Sequence, residues 1–140
     1  MVDKRKTVLF LCTGNSCRSQ IAEAIVNARL GDQWRAFSAG TEPSGYVHPM
    51  AIQALDEIDI QHEGVSKHTD EFRETDFDLV ITVCGDAAEK CPIWLGRGAK
   101  KYIGFDDPAN ATGSKEEKLI DFRRVRDEIA EKIPPFLEIF

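Results

Sequence analysis

A cysteine and an arginine stand at the two ends of a short loop in the stretch TVLFLCTGNSCRSQIAEAIV: Cys12 closes an apolar run, and Arg18 opens an amphipathic segment. The run reads as a buried strand and the segment after it as a helix. The first N–H groups of a helix have no partner within it, and the helix dipole adds positive potential at that end. Small residues entering such a terminus can wrap a tetrahedral oxyanion in backbone N–H groups. Gly14 and Asn15 tolerate the positive φ that a tight cradle requires. The guanidinium of Arg18 adds a planar fork for two oxygens. The same positive field favours a thiolate at Cys12, so one element holds both nucleophile and anion. Ser19 is placed to donate a hydrogen bond to that thiolate. The expected oxyanion site is therefore Thr13, Gly14, Asn15, Ser16, Cys17, Arg18 and Ser19, beside the nucleophile Cys12. It is not a nucleotide-binding loop, which would end in Gly-Lys-Ser/Thr. C-x5-R alone is a weak signal, and an ordinary strand–turn–helix with a buried cysteine competes with it. C-x5-R-S with Gly-Asn inside, between a buried strand and a helix, is a strong one.

The elements that must position this loop alternate along the chain. WRAFSAG, DLVITVC and KKYIGF read as three further strands. SQIAEAIVNARLG reads as a helix with Ile21, Ala24, Ile25 and Ala28 inward and Gly31 as its stop. HPMAIQALDEI starts a second with Pro49 in the first turn and Ile52, Leu55 and Ile58 at helical spacing. DEFRETD suggests a short third. SKEEKLIDFRRVRDEIAEKI reads as a closing helix, with Phe122, Val125, Ile129 and Ile133 inward and Pro134-Pro135 as its end. The expectation is a single-domain α/β fold over residues 1–140: a four-stranded parallel sheet, order 2-1-3-4, flanked by helices. Ligands in such sheets bind beyond the carboxyl ends of the strands, where Cys12 and Cys84 both fall, on neighbouring strands.

Composition sets bounds on partners. The 140 residues carry a net charge of −6, and 42% are hydrophobic. A chain of this acidity lacks the basic field that nucleic acids or anionic membranes require. The run from Val8 to Leu11 is too short for a signal-peptide core, and no stretch approaches a membrane span. The expected location is the cytoplasm, where thiols stay reduced.

VLFLCTGNSCRSQIAEA and GFDDPAN resemble the low-molecular-weight protein tyrosine phosphatases, and within them the thioredoxin-coupled arsenate reductases, from Thr7 to about Ile133. The resemblance implies that Cys12 is the nucleophile and that Asp107 of the Asp-Pro pair, rather than Asp106, is the general acid. In VCGDAAEKCPIW, Cys84 and Cys91 have the spacing of the redox pair of these reductases. The implied chemistry is a Cys12 adduct with arsenate, then a Cys12–Cys84 disulfide that releases arsenite. A Cys84–Cys91 disulfide follows, for thioredoxin to reduce. GDAAEK would then be a mobile short helix that lets the two cysteines meet. Phosphate and sulfate would compete as oxyanions, and the protein would act as a monomer. Pro92, Ile93, Trp94 and Leu95 offer either a docking patch for thioredoxin or packing at the sheet edge. Cys17 reads as a packing residue. DPANATG lacks the tyrosines that phosphatases of this fold carry after Asp-Pro. The family can also bind potassium near the loop. Asn15 and Glu23 fit that role, but GVSKHTDEF supplies no later acidic ligand that can be placed, so no metal or cofactor is assigned.

Three rivals remain at this point. One is a phosphatase with incidental cysteines, and one is an oxyanion or redox sensor that never turns over. The third is a zinc domain using all four thiols, for which C-x4-C and C-x6-C are poor spacings. His48, His62 and His68 are expected to be surface or capping residues, since thiolate and carboxylic acid chemistry needs none of them.

Overall fold

Four strands, β1 (Lys6–Cys12), β2 (Trp34–Gly40), β3 (Leu79–Cys84) and β4 (Ala99–Phe105), pair in parallel in the order β2-β1-β3-β4. The computed structural model describes residues 3–84, 94 and 96–140. Parallel neighbours require crossovers. Helix α1 (Arg18–Arg29) carries β1 to β2, α2 (Pro49–Asp56) and a 3-10 turn at Thr69–Phe72 lie between β2 and β3, and α3 (Lys115–Ile139) follows β4. The fold class and strand order are those expected.

The strand β1 is continuous in apolar residues because both its faces are covered. Val8, Phe10 and Cys12 join Ile21, Leu55, Phe122 and Ile129 from the three helices in one buried cluster. Leu9 and Leu11 pack on the opposite face with Ala39, Phe77, Val80 and Trp94. Each large apolar side chain removed from water in this way contributes about 1.5–3 kcal/mol. Leu79, Ile81 and Val83 of β3 face the helices, and an irregularity in the β3–β4 register between Thr82 and Cys84 brings Cys84 into the same cluster.

Three expectations need correction. Helix α3 does not stop at Pro134-Pro135 but runs through them to Ile139. Ile133 and Leu137 on either side are buried, and that burial offsets the two N–H bonds the prolines cannot make. In α2 the inward residues are Ala51, Ala54 and Leu55, while Ile52 is exposed. In α1, Ala28 is exposed, and Ala22 and Val26 are buried with Ile21, Ala24 and Ile25, because α1 touches the sheet and both other helices. Of the two roles open to Trp94, the structure shows packing: it is buried edge-on against Phe77, and its Nε1–H donates to the carbonyl of Arg97 at 3.1 Å. The short helix in DEFRETD is the 3-10 turn, begun at Thr69. Pro92, Ile93, Leu95 and the stretch GDAAEK lie outside the described residues.

Candidate active site

The loop between β1 and α1 is shaped from outside. Its carbonyls are taken by donors from neighbouring segments: Thr13 by Glu42 N–H at 2.9 Å, Gly14 by Ser44 N–H at 2.9 Å, and Ser16 by His48 N–H at 3.0 Å. Ser66 Oγ–H also donates to the Gly14 carbonyl at 3.1 Å, and Gln20 Nε2–H donates to that of Asn15 at 3.2 Å. In a trans peptide the N–H points opposite to the C=O. Drawing four consecutive carbonyls outward therefore turns the N–H groups of Gly14, Asn15, Ser16 and Cys17 inward. Asn15 N–H lies 3.3 Å from Cys12 Sγ.

Asn15 has φ 47°, a left-handed conformation unusual for a residue with a side chain. Its buried amide holds it there. Nδ2–H donates to Ser19 Oγ at 2.8 Å, and Oδ1 accepts from Gln20 Nε2–H at 3.0 Å and from Lys67 N–H at 2.8 Å. With the Ser19 oxygen accepting from Asn15, its proton is left for Cys12 Sγ, 2.8 Å away. A thiolate there can only accept, so Ser19 donates to it. Gly40, paired with Cys12 across β1 and β2, closes the loop from the side: a Cβ at Gly40 would run into the Thr13 carbonyl oxygen.

Arg18 is 3% exposed. Its Nη1–H donates to the Phe105 carbonyl at 3.3 Å, and Nη2 lies 3.5 Å from Asp107 Oδ2. Asp107 Oδ1 accepts from Ala109 N–H at 3.0 Å and caps the 3-10 turn Pro108–Asn110. Asp106 faces solvent and pairs with Arg124 of α3 at 3.3 Å. Of the two aspartates, Asp107 borders the cavity. That cavity holds about 210 Å³ and is lined by Cys12, Gly14, Ser16, Cys17, Arg18 and Asp107, with Ser44, Tyr46, His48 and Ala109 at its other walls. Tyr46 is largely exposed. An aromatic wall is thus present, though it comes from the segment before α2 and not from the one after Asp-Pro.

The thiols have different surroundings. Burial, with the negative charges of Asp107 and Cys12, pushes the Cys17 thiol up to about 12. It stays protonated and leaves Cys12 as the reactive thiol of the loop. Cys84 is fully buried in the cluster that contains Cys12 and does not line the cavity. Cys91 lies outside the described residues.

Among the histidines, His48 caps α2, its Nδ1 accepting from Met50 N–H at 3.1 Å, and His68 caps the turn at Thr69. Burial lowers His48 from its ordinary value. His62 is neither a surface nor a capping residue: its side chain is 9% exposed, and Nε2–H bonds Gln20 Oε1 at 2.8 Å. Burial and the charge of Lys67 lower it, so its 3.7 Å contact with Glu23 Oε2 is not an ion pair at neutral pH. Glu23 accepts from Ser38 Oγ–H at 3.1 Å; burial raises it, and Lys67 opposes that rise. Gln20, Gly40, Ser66 and Lys67 were not singled out as site residues in the sequence. Only Gly40 carried a signal, as a small residue at the carboxyl end of a strand beside β1. Among the described residues, no cluster of three or more His, Cys, Asp or Glu is arranged to hold a metal ion, and no helix is long and apolar enough to cross a membrane.

The profile of the low molecular weight phosphotyrosine protein phosphatase family matches residues 7–139. An arsenate reductase of Bacillus licheniformis is 49% identical over 138 residues, covering 96% of each chain. Among solved structures, an arsenate reductase of Archaeoglobus fulgidus superposes with a TM-score of 0.78 at 30% identity, over 94% of this chain and 98% of that one. A thioredoxin-dependent arsenate reductase of Corynebacterium glutamicum gives 0.64 at 26% identity, over 99% of this chain and 63% of the other.

Proposed function

The chain belongs to the low molecular weight phosphotyrosine protein phosphatase family, and from that premise we propose that it is an arsenate reductase that draws its electrons from thioredoxin. The observation that carries the reading is its near end-to-end match to the Bacillus arsenate reductase, at an identity far above that needed for a shared fold alone. The cavity is consistent with it in size and chemistry: inward N–H groups and a guanidinium for a tetrahedral anion, a thiol within it, and a carboxyl at its wall.

Arsenate binds in the loop, and the Cys12 thiolate attacks arsenic. Asp107 gives a proton to the departing oxygen, which leaves as water, and a sulfur–arsenic bond is formed. The Cys84 thiolate then attacks Cys12 sulfur. The sulfur–arsenic bond breaks, its electron pair stays with arsenic, and arsenic(III) leaves as arsenite. Cys91 attacks Cys84, freeing Cys12 and leaving a Cys84–Cys91 disulfide. Thioredoxin returns two electrons to that disulfide. No resident metal or cofactor takes part, and the cytoplasm keeps the three thiols reduced between turnovers.

A second reading, hydrolysis of aryl phosphates, is favoured by Tyr46, whose exposed ring at the cavity is positioned to flank an aromatic leaving group. The experiment that separates the two supplies reduced thioredoxin and arsenate to one sample and an aryl phosphate to another. The reductase reading expects arsenite to appear in step with thioredoxin oxidation, with aryl phosphate hydrolysis a slow side activity. Aryl phosphate hydrolysis without arsenite formation would replace it with the phosphatase.

A further inference from the structure

The family can bind a potassium ion beside the oxyanion loop, and Asn15 and Glu23 fall at positions that would help to hold it. The residues present do not fit one. Asn15 Oδ1 already accepts from two donors, Gln20 Nε2–H and Lys67 N–H, and the Asn15 carbonyl accepts from Gln20 as well. The Val65 carbonyl accepts from Gln20 Nε2–H at 3.0 Å and from Lys67 Nζ–H at 2.6 Å. The Asn15 and Val65 oxygens beside the loop are thus taken up by the chain's own N–H groups, and one of these groups is itself a cation.

A charge is needed here. The Glu23 side chain is 13% exposed and lies in the network of Gln20, Ser38 and His62 that braces Asn15. A buried carboxylate next to an anion-binding loop repels the anion the loop must hold, and the low local dielectric strengthens that repulsion. The charge of Lys67 acts on both Glu23 and His62. We propose that Lys67 is a positioning residue whose ammonium group supplies, from within the chain, the positive charge that a bound potassium ion would bring to Glu23. The loop then keeps its shape and its anion affinity whatever monovalent cation is in solution.

The inference rests on the oxyanion-loop reading. Phosphate is the probe, because it fills the cradle without turnover. Its affinity is measured by calorimetry, with the thermal midpoint of the free protein as a second readout, in potassium chloride and in tetramethylammonium chloride at equal ionic strength. Wild type is expected to give the same values in both salts. Lys67→Met is expected to bind phosphate about threefold to tenfold more weakly. That loss should shrink in a Glu23→Gln background, where there is no carboxylate to balance, and Lys67→Arg should restore most of it. A wild-type protein whose affinity or midpoint rises specifically with potassium would overturn the proposal. So would a Lys67→Met loss of equal size with and without Glu23. Failure of the loop reading looks different, since wild type would then bind no phosphate in either salt.

Discussion

Arg18 and Asp107 stand 3.5 Å apart, yet the proposed mechanism gives them separable tasks. In that mechanism the guanidinium binds and the carboxyl moves a proton. Arg18→Lys keeps the charge and loses the fork, so phosphate and arsenate affinity should fall by about tenfold to a hundredfold, the worth of hydrogen bonds to a charged group. Calorimetry checks this, and unchanged affinity in a folded variant would remove Arg18 from the anion site. Asp107→Asn should leave binding within a small factor of wild type and slow formation of the Cys12 adduct by about a hundredfold or more, as expected for loss of a general acid. Asp106→Asn is the control: it disturbs only an exposed pair with Arg124 and should be near neutral. Rapid-quench measurement of the adduct in both variants tests the choice between the aspartates.

The loop is held by its neighbours as much as by its own sequence, and Gly40 is where that dependence is sharpest. An added methyl would meet backbone carbonyls of Thr13 and Cys12, which cannot move without opening the cradle. Gly40→Ala should cost about 1–3 kcal/mol of stability and weaken phosphate binding alongside. A variant with wild-type midpoint and affinity would show that β2 does not gate the loop. The same dependence explains what could be read from the sequence. The strand order, and Cys12 with its loop, were legible because apolar runs and the C-x5-R-S pattern are local signals. The bracing by Ser66 and Lys67, and the His62 contact that holds Gln20, was not, because it joins residues 42 to 52 positions apart whose contacts exist only in the folded chain. The passage of α3 through Pro134 and Pro135 departs from the local pattern for a related reason: local propensity says stop, and the burial of Ile133 and Leu137 overrides it.

For the molecule as a whole, two partly buried histidines tie stability to pH. Folding lowers both His48 and His62 below the ordinary value of 6.5. The unfolded chain therefore takes up protons first as pH falls, so the stability these residues contribute is present above 6.5 and is lost as pH drops through their lowered values. Glu23, raised in the fold, acts with the opposite sign and softens the loss. The thermal midpoint should fall on acidification below 6.5, and His62→Gln should make that fall shallower; an unchanged slope would show that His62 is not held neutral. The central claim, however, is that Cys12, Cys84 and Cys91 act as a relay, and its most direct measurement is a single-turnover assay of Cys91→Ser. The variant is reduced fully, freed of reductant and given excess arsenate; arsenite is counted, and disulfides are mapped by mass spectrometry. The relay predicts a single arsenite released per chain, then arrest with Cys12 joined to Cys84, and poor restart by thioredoxin. Sustained turnover of this variant with thioredoxin at the wild-type rate would contradict it.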